Sequence, residues 1–249
     1  MTIPTLRADG KVVVVTGATK GLGRAMALGF AEAGADVVVS SRRIEGCEEV
    51  AELIRGLGRR ALPVACHVGD WEQCQLLIDA TVAEFGRIDV LVNNAGIAPV
   101  PPSLKEVTPE LFDKTMDVNL KGPLRLTALA AEHMPSGGSV INISSKASLF
   151  PSPFTVVYAA AKAGQNALTK AAAEEFGPRG IRVNGIVCGT FATVSLDKSL
   201  PTEEAKSAMA SRVSLGRIAD ASEIVGTALY LASDASSYLN GELILLDGG

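Results

Sequence analysis

Histidine is scarce: only His67 and His133 occur in 249 residues, too few for a His-rich metal site, and no metal is expected. The four cysteines (Cys47, Cys66, Cys74, Cys188) form no Cys-x-x-Cys pair and read as reduced thiols of a reducing compartment. No apolar run reaches the ~18–20 residues that span a bilayer. Met1–Gly10 has no apolar core of a secretory signal, so the expected address is the cytoplasm. A large excess of either charge is also missing. A net charge of −4 gives no electrostatic reason to expect nucleic acid or an anionic membrane as partner. Repeats, low-complexity tracts and linkers are absent too. What remains is 47% hydrophobic and 20% charged residues, the balance of a globule large enough to bury a sizeable core.

Within that globule, apolar runs alternate with helical patterns. Val12–Val15 is a continuous β-branched run, suited to a parallel strand buried on both faces. It ends in Thr16-Gly17-Ala18-Thr19-Lys20-Gly21-Leu22-Gly23, after which apolar residues recur at helical spacing until Gly34. Glycines between a strand and a helix let the backbone approach a pyrophosphate at the helix N-terminus. Strands then follow at Val37–Ser40, Ala61–Cys66, Ile88–Val92, Val140–Ile143, Ile181–Val187 and Glu242–Leu246. Helices are expected at Ile44–Leu57, from Asp70 to Phe85, from Thr108 to about His133, and around Tyr158 as far as Gly177-Pro178. A last one runs from Asp220 or Ser222 to Ala232. The alternation predicts one α/β domain over residues 1–249: a Rossmann-type, doubly wound parallel sheet of about seven strands with helices on both faces. From about 190 to 217 the pattern loosens around one short helix after Pro201, and a mobile substrate flap is expected there.

Chemistry gathers where strands end. The second strand stops at Ser41-Arg42-Arg43 with no acid to take a ribose 2′-hydroxyl; the arginines, with Lys20, suit a 2′-phosphate. NADP(H) is therefore the preferred cofactor, with NAD(H) as the alternative. The fourth strand ends in Asn93-Asn94-Ala95-Gly96, at the sheet edge where open α/β folds bind ligands. Asn119 lies inside a helix, an unfavourable place for asparagine. Tyr158 and Lys162 stand four apart on a helix and share a face, so the cation favours the phenolate. A surface Tyr and Lys on an alanine-rich helix would read the same way.

Taken together, Thr16-Gly17-x-x-x-Gly21-x-Gly23, Asn93-Asn94-Ala95-Gly96, Asn119, Ser145 and Tyr158-x-x-x-Lys162 resemble the short-chain dehydrogenase/reductase family over nearly the whole chain. The resemblance implies an oxidoreductase moving hydride between a nicotinamide and a carbonyl or secondary alcohol. Tyr158 would be the general acid/base, and Ser145 would bind the substrate oxygen. Lys162 would depress the tyrosine pKa and hold the nicotinamide ribose, and Asn119 would anchor a water linking Lys162 to solvent. Asn94, Ala95 and Gly96 would lie on the adenosine side, with Thr19, Leu22, His67 and Val68 also on the cofactor. Phe191 and Thr193 match the segment that contacts the nicotinamide amide. A homotetramer, built through two long helices and the C-terminal strand, is implied as well.

Two positions depart from the family pattern. His67 stands where an Asp or Asn often faces the adenine amino group, and Cys188 replaces a proline, which is expected to loosen the corner before Gly189. Leu149, Phe150, Pro153, Phe154 and Leu196 are expected on the substrate side, which suggests a partly apolar, small-molecule carbonyl. The nearest general resemblance is to 3-oxoacyl-carrier-protein reductases. An acyl carrier protein is acidic, yet Ala128–Ser139 holds no Lys or Arg and only Arg179 follows, so that partner is not favoured. The alternative of another class is a catalytically silent NADP(H)-binding redox sensor, which would not need Asn119, Ser145, Tyr158 and Lys162 together.

Overall fold

Valine-rich strands that alternate their side chains between two faces build the centre of the molecule. A computed structural model describes residues 6–193, 196 and 201–249. In chain order the first strands are β1 (Val12–Thr16), β2 (Asp36–Ser41), β3 (Ala61–Ala65) and β4 (Val90–Asn93). They are followed by β5 (Ser139–Ser145), β6 (Arg182–Cys188), β7 (Phe191–Ala192), β8 (Ala219–Asp220) and β9 (Leu243–Leu246). The helices are α1 (Gly21–Glu32), α2 (Ile44–Gly56), α3 (Trp71–Phe85) and α4 (Pro109–Met116). After them come α5 (Gly122–Glu132), α6 (Val156–Phe176), α7 (Glu203–Ala210) and α8 (Ile224–Ala232).

Seven strands form one sheet in the order β3-β2-β1-β4-β5-β6-β9, every pair parallel, as the sequence predicts. Strand periodicity divides the core. Val13, Val15, Val37 and Val39 pack with Met26, Phe30, Ile54 and Leu231 of α1, α2 and α8. Val14 and Val38 face the other way, towards Leu77, Ile78, Leu126 and Ala130 of α3 and α5. The order reverses between β1 and β4, so the loops leaving these strands part and open a crevice at their carboxyl ends.

The expected single helix from Thr108 to His133 is interrupted. Thr108 does cap its start, its Oγ1 accepting from Leu111 N at 3.2 Å. Between α4 and α5, however, Asp117–Lys121 forms a π turn, whose wider winding is not visible in a 3.6-residue pattern. Gly122 follows because a Cβ there would stand 2.3 Å from the Val68 carbonyl oxygen. The pair β7–β8, two residues on each side, was also not legible; it ties Phe191 to Ala219. Of the expected flap, residues 194, 195 and 197–200 lie outside the described residues, while α7 supplies the short helix after Pro201. Cys188 lies at the end of a strand. It closes β6 in register with Ser145 and Leu246, and Gly189 N donates to Leu246 O at 2.9 Å.

Candidate active site

The turn after β1 is shaped by close backbone approach. Gly17 has φ +65° and Gly21 φ +52°, the left-handed region that favours glycine. A Cβ on Gly23 would meet the Gly17 carbonyl oxygen at 2.3 Å, so the start of α1 can pack on the turn only with glycine there. Asn94 locks this turn to the end of β4: its Nδ2 donates to Thr16 O (2.8 Å) and Gly17 O (3.2 Å). Thr16 Oγ1 in turn accepts from the Asn94 and Ala95 amides at 3.0 and 3.1 Å. Lys20 occupies the N-cap of α1, which has no side-chain cap and no acid in its first turn. Uncapped N–H groups, glycine clearance and a nearby cation are the properties a dinucleotide phosphate requires, and the residues present fit one.

These elements line a cleft of ≈ 1110 Å³. Gly17, Lys20, Gly21, Leu22, Ser41, Arg42, His67 and Val68 are part of its lining. Asn94, Ala95, Gly96, Ser145, Tyr158, Lys162, Phe191, Thr193 and Leu196 complete it. Four predicted site residues stand outside the lining. Arg43 is the exposed N-cap of α2, and Gly23 lies behind the turn. Thr19 bridges the turn to β2, its Oγ1 donating to Ser41 Oγ at 3.3 Å. Asn119 is fully buried in the π turn; its Nδ2 donates to Ile97 O and Thr115 O, each at 2.8 Å, and its Oδ1 accepts from Ile97 N at 3.2 Å. The carboxamide thus pins the π turn to the loop after β4. Gly96 marks where Asn119 and Lys162 converge: a Cβ there would be 2.9 Å from Asn119 Oδ1 and 3.9 Å from Lys162 Nζ.

Lys162 is 3% exposed, and its Nζ donates to Ile143 O at 2.7 Å and to Gln165 Oε1 at 3.0 Å. Burial lowers its pKa to about 8. The Lys162 ammonium sits 5.9 Å from the Tyr158 ring centre. Burial also pushes the Tyr158 phenol up, and the Ser145 hydroxyl bonded to it pulls the other way. The phenol is thus displaced upward, opposite to the depression expected from Lys162. The Cys188 thiol beside them is pushed up to about 12 by burial and is a neutral neighbour.

Leu149, Phe150 and Phe154 are exposed and, with Pro153, lie outside the cleft lining, contrary to the expected substrate wall. The lining includes instead Pro99 and Glu110, Leu111, Lys114, Thr115 and Val118. Their spacing on one helical face was the signal available in the sequence. The Ala128–Ser139 stretch leads into the amino end of β5, whereas Ser145 is at its carboxyl end, so its lack of basic residues does not describe the mouth. Arg179 likewise precedes β6 and donates to Ala131 O at 2.5 Å.

A family model described as enoyl-(acyl carrier protein) reductase matches residues 17–249. The 3-oxoacyl-[acyl-carrier-protein] reductase FabG of Thermotoga maritima is 38% identical over 98% of this chain and 99% of its own. The chain belongs to the short-chain dehydrogenase/reductase family. An L-rhamnose 1-dehydrogenase (NAD(P)(+)) of Sphingomonas sp. is 36% identical over 97% of this chain and 96% of the relative. A short-chain dehydrogenase from Burkholderia cenocepacia, solved in complex with NADP, superposes with a TM-score of 0.91 at 31% identity, covering 98% of both chains. The protein is accordingly an oxidoreductase of a family that uses nicotinamide cofactors. Among the described residues no group of three or more His, Cys, Asp or Glu could hold a metal, and no helix is long and apolar enough to cross a membrane.

Proposed function

We propose that the protein is an NADP(H)-dependent reductase of small, partly apolar ketones, or dehydrogenase of the matching secondary alcohols, working as a homotetramer. The observation that carries this reading is one cleft shared by the Gly17–Gly21 turn and by Ser145, Tyr158 and Lys162. Lys20 and Arg42 line its adenosine end with no acid at the end of β2, which favours a 2′-phosphate. NADPH, when bound, supplies the hydride. The protein's part is proton delivery. Ser145 donates a hydrogen bond to the substrate oxygen and aligns it with the Tyr158 hydroxyl. Tyr158 gives its proton to that oxygen as negative charge develops there. A phenol raised by burial is fully protonated at neutral pH, the state a reductase needs. The Lys162 cation stabilises the phenolate left behind.

The test is oxidation of NADPH, with NADH in parallel, against a ketone panel that includes an acetoacetyl thioester. Turnover of small ketones with NADPH is expected, and a clear preference for NADH would overturn the role given to Lys20 and Arg42. The 38% identity to a carrier-protein reductase favours a second reading, which strong turnover of the thioester would support.

A further inference from the structure

The buried face of α6 carries a polar stripe in an alanine-rich helix: Lys162, Gln165, Asn166 and Thr169 are all buried. Asn166 and Thr169 have partners on β5 and the turn after it, with Ser144 Oγ donating to Asn166 Oδ1 (2.6 Å) and Asn142 Nδ2 to Thr169 Oγ1 (2.9 Å). Gln165 differs. It is 0% exposed, its Oε1 accepts from Lys162 Nζ at 3.0 Å, and its Nε2 is without a partner. A buried amide with one end unpaired costs stability, where a leucine of similar size would not. Among the described residues, the one polar contact its side chain makes is the one to Lys162.

We propose that Gln165 is a positioning residue: with the Ile143 carbonyl, its Oε1 fixes the Lys162 ammonium at its place behind Tyr158. The two acceptors come from separate elements, Ile143 on β5 and Gln165 three residues along α6, so together they set both the depth and the direction of the amine. Both bonds favour the charged form and oppose the desolvation that lowers its pKa. The groups that could compete are few. Tyr158 on α6 and Cys188 on β6 remain protonated through neutral pH. Lys146, in the turn after β5, pairs with Asp247 at 2.7 Å. Asp117 pairs with Lys121 within the π turn, and Glu110 and Lys114 of α4 line the same cleft.

This inference rests on the proposed role of Lys162, so its test reads the amine directly. The Lys162 13Cε signal, assigned by its loss in Lys162→Met, is titrated by NMR in the cofactor-free protein. Gln165→Leu and Gln165→Met should lower the midpoint by about one pH unit, and Gln165→Glu should raise it. In turnover, the Leu and Met variants should lose about ten- to a hundredfold in kcat with the ketone KM little changed. Gln165→Glu should move the alkaline limb upward instead. If Gln165→Leu fails to fold, the Met and Glu variants carry the comparison. Unchanged titration in the variants that fold would overturn the proposal. Shifted titration with no ketone turned over, even by the wild type, would uphold it and count against the reductase reading alone.

Discussion

At the scale of single residues, the cleft is governed by what burial does to charge. The ordinary lysine value is 10.5, and in the folded protein Lys162 is lowered to about 8 by desolvation. Between these two values the unfolded chain holds the proton that the folded one has released, so stability rises with pH across that window. Wild type should therefore gain on Lys162→Met by on the order of 3 kcal/mol between pH 8 and 10.5. Urea unfolding at several pH values checks this, and a constant difference would refute it. Arg42 permits a second residue-scale prediction. Arg42→Asp places an acid at the end of β2 and should raise KM for NADPH by about ten- to a hundredfold while leaving NADH usable. Steady-state kinetics with both cofactors gives the answer. Tyr158 and Lys162 share a helix face at a spacing the sequence displays, whereas Ser145 stood out only through the family resemblance; all three line the cleft. Gln165 was not legible, since a glutamine in an alanine-rich helix has no signature until its Oε1 is seen on Lys162.

At the scale of elements, a close approach shapes the cleft. The glycine turn is held against α1 by a clearance that only Gly23 allows. Gly23→Ala would force its Cβ onto the Gly17 carbonyl and should cost ~1–3 kcal/mol and most NADPH affinity. Gly226 in α8 is the control, since a Cβ there meets nothing within 4 Å. Gly226→Ala should stabilise the fold by about 0.5–1 kcal/mol and leave cofactor binding alone. Thermal melts with and without NADPH separate the two effects. Strand positions could be read within a residue or two because β-branched runs such as Val12–Val15 have few other uses. The π turn could not, because one wide turn changes no composition; its trace in the sequence was the misplaced Asn119.

At the scale of the whole molecule, the parallel sheet places every site strand with its carboxyl end on one edge, and the reversal between β1 and β4 opens the cleft there. That much follows from alternating strands and helices, since parallel neighbours need right-handed crossovers. The rest of the lining follows from tertiary contacts instead: Phe150 and Phe154 are near Ser145 in sequence yet are exposed and outside the lining, and α4 reaches the cleft from a distant part of the chain. Assembly belongs to the same scale. Phe112 on α4, Leu124 on α5 and Leu245 on the edge strand β9 are exposed apolar side chains, and a homotetramer would cover them. Light scattering should return four chain masses, and Leu245→Arg should lower that number. The central claim is that this cleft transfers a proton from Tyr158 while hydride arrives from NADPH. It is tested most directly by comparing NADPH binding and ketone turnover in wild type and Tyr158→Phe. The account predicts retained NADPH affinity with turnover reduced by ~10²–10⁴-fold; undiminished turnover in Tyr158→Phe would contradict it.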